Sequence, residues 1–264
     1  LTDTVRIINP SNKKLTLMRP SLLNGMMNVI ADNINHNNKD LKLFEIGRRY
    51  TGNGEQLPTE DKVCAIGLTG VMFNNWLDHC REVTFFDLKG IIGSLLSSLG
   101  CENIVFHDDS HTLFSEYFSV TVDARPLGYA GLVDGRVLDH YHIKQPVYYS
   151  ELCVASLVNA RKEIKIFAPF SKYPASYRDL AIIAAENIPA GDIMDSIRET
   201  DPVLIKNISL FDVYTGKQIK KGFRSLAFAI EFQSDERTLS NDEVDSLHAE
   251  IIRTLKESFN AQLR

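Results

Sequence analysis

Cysteine is scarce in the 264 residues: Cys64, Cys80, Cys101 and Cys153 stand far apart, with no C-x-x-C and no histidine cluster beside them. That spacing argues for buried free thiols in a reducing cytoplasm over a structural metal or a disulfide frame. Long apolar runs are missing too. None approaches the roughly 18 residues that span a bilayer, and no basic-then-apolar signal pattern opens the chain, so membrane and secreted classes are set aside. Positive charge is short as well: 29 Lys and Arg stand against 34 Asp and Glu, a net of -5. This excludes a globally basic DNA binder. It leaves room for a local patch that reads single-stranded RNA by stacking and base-edge hydrogen bonds. There is no internal repeat and no low-complexity tract. No phosphate-cradling, dinucleotide-binding or nucleophile-elbow glycine motif lies between a strand and a helix. The first residue is Leu1 rather than Met, so the chain is expected to be a piece of a longer or processed one.

What is present is core material, 44% hydrophobic residues, enough for one or two domains. Short strands are predicted at Val5–Asn9 and Leu15–Met18, then a helix over Ser21–Asn33 with Leu22, Leu23, Met26, Met27 and Ile30 on one face. Strands follow at Leu41–Tyr50, Val63–Val71 and Val83–Asp87, and a helix at Lys89–Leu99 that Gly100 ends. Further strands are predicted at Ile104–Phe106, Tyr117–Asp123, Gly128–Val133 and Glu151–Leu157, with Ala124-Arg125-Pro126 as a hairpin turn. This first region reads as antiparallel α+β. Asn159–Lys172 reads as a linker.

Beyond it come Arg178–Ala185 (strand), Ala190–Glu199 (helix), Val203–Tyr214 and Arg224–Phe232 (strands, with Thr215-Gly216-Lys217 as a turn), Asn241–Phe259 (helix) and Ala261–Leu263 (strand). The order βαββαβ is the ferredoxin-like arrangement. Alternation along a strand separates two faces. Leu226, Phe228, Ile230 and Phe232 must meet the helices, which leaves Ser225, Ala227, Ala229 and Glu231 on the other side. Asp212 shares a face with Tyr214, opposite Phe211 and Val213, and Asp179, Ala181 and Ile183 share another. A two-layer domain leaves one sheet face open. Small residues beside a carboxylate, a hydroxyl and a ring make a platform on which a nucleobase can stack and offer its edge. The carboxylate accepts hydrogen bonds and so favours guanine, and Lys220, Lys221 and Arg224 are candidate phosphate contacts. The same pattern also fits a solvated sheet face without a ligand, or a small-molecule-sensing regulatory protein that uses a ferredoxin-like module.

Other groupings point to no catalytic set. Asp108, Asp109 and His111 share a short loop, yet a hard cation needs several converging oxygens, so a solvated surface is expected. His140 and His142 are expected on one strand face without a third ligand. Glu45 and Arg48 are expected to pair, and Trp76 to pack.

Several stretches, in order, resemble the β subunit of bacterial phenylalanyl-tRNA synthetase. They are Asn9-Pro10 with Met18-Arg19-Pro20-Ser21-Leu22-Leu23-Asn24-Gly25; Leu43-Phe44-Glu45-Ile46-Gly47-Arg48; Phe86-Asp87-Leu88-Lys89-Gly90; Lys172-Tyr173-Pro174-Ala175-Ser176-Tyr177-Arg178-Asp179-Leu180-Ala181; Leu210-Phe211-Asp212-Val213-Tyr214-Thr215-Gly216; and Arg237-Thr238-Leu239. The resemblance implies a non-catalytic class II synthetase-like antiparallel-sheet module over 1–160 and a ferredoxin-like anticodon-binding domain over 161–264. It implies the catalytic α subunit and the phenylalanine tRNA as partners, in the cytoplasm. It carries anticodon reading onto Ala181, Asp212, Tyr214 and Ser225. Where the family has an H-P-G stretch, this chain reads Thr112-Leu113-Phe114-Ser115-Glu116-Tyr117. The class II arginine that meets ATP has only Arg48-Arg49-Tyr50-Thr51 as its counterpart, and the glycine-rich third class II motif is missing. ATP and Mg²⁺ are therefore expected for the holoenzyme, and no aminoacyl-adenylate from this chain alone.

Overall fold

The computed structural model of the protein describes residues 4–10, 16–53, 56–73, 75–76, 80–101, 103–162, 169–216 and 218–264. Leu15, Lys217 and residues 163–168 of the expected linker fall outside them. The chain divides into two compact units, Leu1–Ile166 and Phe167–Arg264. Both are α+β with antiparallel sheets, as the sequence leads one to expect. Among the described residues no helix is long and apolar enough to cross a membrane.

The first unit runs α1 (Leu23–Asn35), β1 (Leu41–Asn53), β2 (Gln56–Thr69), β3 (Val71–Phe73), β4 (Arg81–Glu82), α2 (Phe85–Ser98), β5 (Ile104–Asp109), β6 (Phe114–Val122), β7 (Arg125–Val133), α3 (Gly135–His140), β8 (Val147–Cys153) and α4 (Val154–Ala160). Its main sheet has the order β1-β2-β8-β7-β6-β5, antiparallel at every pairing. Alternation along β2 sends Val63 and Ala65 to a core with α1 and Ile66 and Leu68 to a second core with α2. Helix α1 starts after Pro20 because donors at its first turn find acceptors. Leu23 N–H donates to Ser21 Oγ at 3.0 Å, and Leu22 N–H donates to Glu151 Oε2 at 3.0 Å.

Several expectations need correction here. Among the described residues, the two predicted N-terminal strands meet as a single bridge between Arg6 and Leu17. Val83–Asp87 is no strand: Asp87 accepts from Thr84 N–H and Oγ1 at 2.8 and 2.9 Å, and that closure starts α2 at Phe85. The strand predicted over Glu151–Leu157 stops at Cys153, and the remainder is α4. The β6–β7 turn is Asp123-Ala124, both left-handed (φ 48° and 61°), with Val122 opposite Arg125, so Arg125 and Pro126 belong to β7. His140 ends α3 and His142 sits in a turn at φ 58°, so they share no strand. Glu45 pairs with Arg19, and Arg48 with Glu60 across the β1–β2 ladder, since residues three apart face opposite sides of a strand. Trp76 is 93% exposed rather than packed. All four cysteines are free, yet only Cys101 is buried, and Cys80 is exposed.

The second unit runs β9 (Ser176–Ala185), α5 (Ala190–Thr200), β10 (Ile205–Tyr214), β11 (Phe223–Phe232), α6 (Asn241–Phe259) and β12 (Gln262–Leu263), with sheet order β10-β11-β9-β12. This is the βαββαβ arrangement. Leu226, Phe228, Ile230 and Phe232 are buried against Ile193 and Ile197 of α5 and Val244, Ile251 and Leu255 of α6. Each such side chain contributes roughly 1.5–3 kcal/mol on burial. Both helices therefore occupy one side of the sheet. Ser240 and Glu243 cap α6 reciprocally, and Asn260 at φ 52° ends it and turns the chain into β12.

Candidate nucleic-acid interface

The side of this sheet away from α5 and α6 is ordered into rows across the strands. Tyr214 of β10 lies opposite Ser225 of β11, which lies opposite Ile183 of β9 and then Gln262 of β12. The adjoining row is Asp212, Ala227 and Ala181. Beyond it Ser209, Ala229 and Asp179 line up, and then Asn207, Glu231 and Tyr177. A bulge makes this placement. Leu210 opposes Phe228 on the helix side, so strict alternation would send Asp212 there too; the extra residue, Phe211, returns Asp212 to the open side. The structure thus brings Ala181, Asp212, Tyr214 and Ser225 together in two neighbouring rows.

Their environments differ. Asp212 is exposed, while Ala181 and Tyr214 are half-buried. Ser225 is only 2% exposed. A Cβ on Gly216 would overlap the Tyr214 hydroxyl and ring carbons, so the ring lies against that bare backbone. Arg264, which follows β12, is the residue that sequence reasoning misses. Its N–H donates to the Ala181 carbonyl at 3.1 Å, its guanidinium carbon sits 5.0 Å from the Tyr214 ring centroid, and Nη1 donates to Ser225 Oγ at 3.5 Å. The only sequence signal for it is the short strand expected before it, because the contact depends on β12 pairing with β9.

The candidate phosphate contacts divide. Lys220 and Lys221 are exposed in the connection between β10 and β11, at the Tyr214 end of the face, with Lys220 Nζ 5.6 Å from the Phe223 ring centroid. Arg224 lies on the helix side opposite Ala184, and its Nη2 donates to the Ile188 carbonyl at 2.7 Å. Acidic groups gather at the other end, where Tyr177 donates to Glu231 at 3.3 Å and the Glu231 charge raises the pKa of that phenol. The face is therefore cationic toward Tyr214 and anionic toward Glu231.

In the first unit, Asp108, Asp109 and His111 border a hollow of about 560 Å³, with the His111 ring stacked on Tyr117 at 5.2 Å. Among the described residues no group of three or more His, Cys, Asp or Glu is placed to hold a metal ion. Arg49 is taken up by Asp61 and Glu151, each at 3.2 Å.

Comparison with known proteins finds two family models. Residues 1–154 match the phenylalanyl tRNA synthetase beta chain CLM domain, and residues 171–264 match the ferredoxin-fold anticodon binding domain. Similar curated proteins are phenylalanine–tRNA ligase beta subunits. That of Geobacter sulfurreducens is 32% identical over 99% of this chain and 33% of its own length. That of Carboxydothermus hydrogenoformans is 31% identical over 100% and 34%, and that of Dehalococcoides mccartyi 34% over 99% and 32%. The chain spans about a third of the length of these relatives.

Proposed function

Because the chain belongs to the phenylalanyl-tRNA synthetase β chain family, we propose that it helps attach phenylalanine to its tRNA. It holds the tRNA anticodon with the second unit and docks the catalytic α subunit with the first. The observation that carries the anticodon role is the meeting of Asp212, Tyr214, Ser225 and Ala181 on the sheet side opposite this unit's helices. Asp212 accepts hydrogen bonds from amino and imino groups, as a guanine edge supplies. Tyr214 offers a ring for stacking. The Ala181 and Ala227 floor lets a flat base approach the strands, and Lys220 and Lys221 stand where phosphates of the same loop would pass.

Docking of the α subunit is supported by β1, an edge strand of the six-stranded sheet. Phe44 and Ile46 on it are 75% and 55% exposed. They border an apolar groove of about 360 Å³ with Ile66, Leu68, Ile91 and Leu95. An exposed apolar edge of this kind suits burial by a partner.

Among the described residues of the first unit no group of three or more His, Cys, Asp or Glu is placed to hold a metal ion, and Arg48 and Arg49 are engaged with Glu60, Asp61 and Glu151. We assign ATP and Mg²⁺ to the α subunit's site, and no step on this chain runs through them. Charging of tRNA puts the protein in the cytoplasm.

The test is binding of a phenylalanine tRNA anticodon hairpin to the protein assembled with its α subunit. Asp212→Ala and Tyr214→Ala should each cost about 1–3 kcal/mol. Unchanged binding in both variants would remove these residues from the interface. A metabolite-binding dimer without RNA affinity would favour the small-molecule reading instead.

A further inference from the structure

Tyr214 and Ser225 are both engaged by one side chain of the chain itself. The Arg264 guanidinium lies over the Tyr214 ring and donates to Ser225 Oγ. A base that stacks on that ring face and bonds that hydroxyl needs both positions at once. We propose that Arg264 is a displaceable cover of the open face. An incoming RNA base takes Tyr214 and Ser225 from it, and the freed guanidinium turns to the RNA backbone. This inference rests on the reading of that face as an RNA site.

The contacts are built for exchange. A donor–acceptor distance of 3.5 Å is long for an N–H···O bond, and a cation over an aromatic ring at an exposed site is weakly held. The backbone is fixed by contrast: Arg264 N–H bonds Ala181 O at 3.1 Å, and Gln262 and Leu263 pair with Ile183 and Ile182. The side chain therefore swings about an anchor in the Asp212–Ala227–Ala181 row. The charge pattern says where it goes. Asp212, Asp179 and Glu231 repel a phosphate backbone from the rest of the face, so phosphates must come to the end that carries Lys220, Lys221 and Arg264. A guanidinium presents a planar fork to phosphate oxygens, which an ammonium does not.

The experiment is fluorescence anisotropy with a labelled phenylalanine tRNA anticodon hairpin across a salt series. It uses the α-assembled protein as wild type, Arg264→Ala and Arg264→Lys. Arg264→Ala should bind about tenfold more weakly at low salt, with a salt slope shallower by about 0.7–1. Arg264→Lys should keep the slope and recover only part of the affinity. Tighter or unchanged binding by Arg264→Ala would make the side chain a mere obstruction or a bystander. Weaker binding at an unchanged slope would make it structural. Each of these overturns the proposal alone. Failure of the wild type to bind the hairpin would overturn the RNA reading beneath it, so the two failures are distinct.

Discussion

The Glu151 carboxylate is 1% exposed and collects donors from three directions. Ser21 Oγ and Tyr149 hydroxyl donate to it at 2.9 Å, Leu22 N–H at 3.0 Å and Arg49 at 3.2 Å. Burial, with the Glu151 charge beside it, pushes the Tyr149 phenol well above its usual pKa, so it stays protonated and donating. Glu151→Ala would strand the Leu22 amide and the Tyr149 hydroxyl and leave Arg49 with Asp61 alone. It should destabilise the first unit by about 3–5 kcal/mol in chemical unfolding, with Glu151→Gln intermediate. None of this is legible in the sequence, where Glu151 opens an apolar run and its partners lie up to 130 positions away. Arg264 is hidden for the same reason. Of the legible residues, Ser225 and Ala181 follow from strand alternation and the set of four from the family resemblance, while Asp212 reaches the open side only because Phe211 bulges out.

Among the elements, those with local punctuation are the ones a sequence reveals. Helix α6 is expected and found at Asn241–Phe259, and in the structure Ser240 and Glu243 bond each other across its first turn. Helix α2 carries the same device at Thr84 and Asp87, but the β-branched and aromatic run Val83–Phe86 reads as strand and conceals it. Both caps imply a pH dependence of one sign. Hydrogen bonds from Arg237 and then Ser240 lower Glu243 from its ordinary 4.5 to about 2. Arg81, against some opposition from burial, and Thr84 lower Asp87 in the same direction. A carboxylate with a depressed folded pKa contributes fully above its ordinary pKa, and the contribution fades as pH falls through the folded value. Glu243→Gln should therefore lower Tm near neutral pH. The gap to wild type should close between about pH 4.5 and pH 2, as followed by circular dichroism.

For the whole molecule, the proposed function keeps tRNA holding on this chain and amino-acid activation on its partner. The proposed RNA site lies on the sheet of one unit and the apolar edge on the other, while Arg48 and Arg49 are paired with carboxylates. Loss of anticodon contact should then appear in how well tRNA is bound, leaving chemistry at the α subunit intact. Ala181 offers the cleanest probe. It lies between Ala227 and the Arg264 amide on the open side, where a leucine would raise the floor without entering the core that α5 and α6 fill. The most direct measurement is steady-state charging of phenylalanine tRNA by the assembled protein carrying Ala181→Leu, run beside phenylalanine-dependent ATP–pyrophosphate exchange. KM for tRNA should rise about tenfold or more while exchange and Tm stay at wild-type levels. An unchanged KM, or an equal fall in both reactions, would contradict a sheet that receives a base on its bare side.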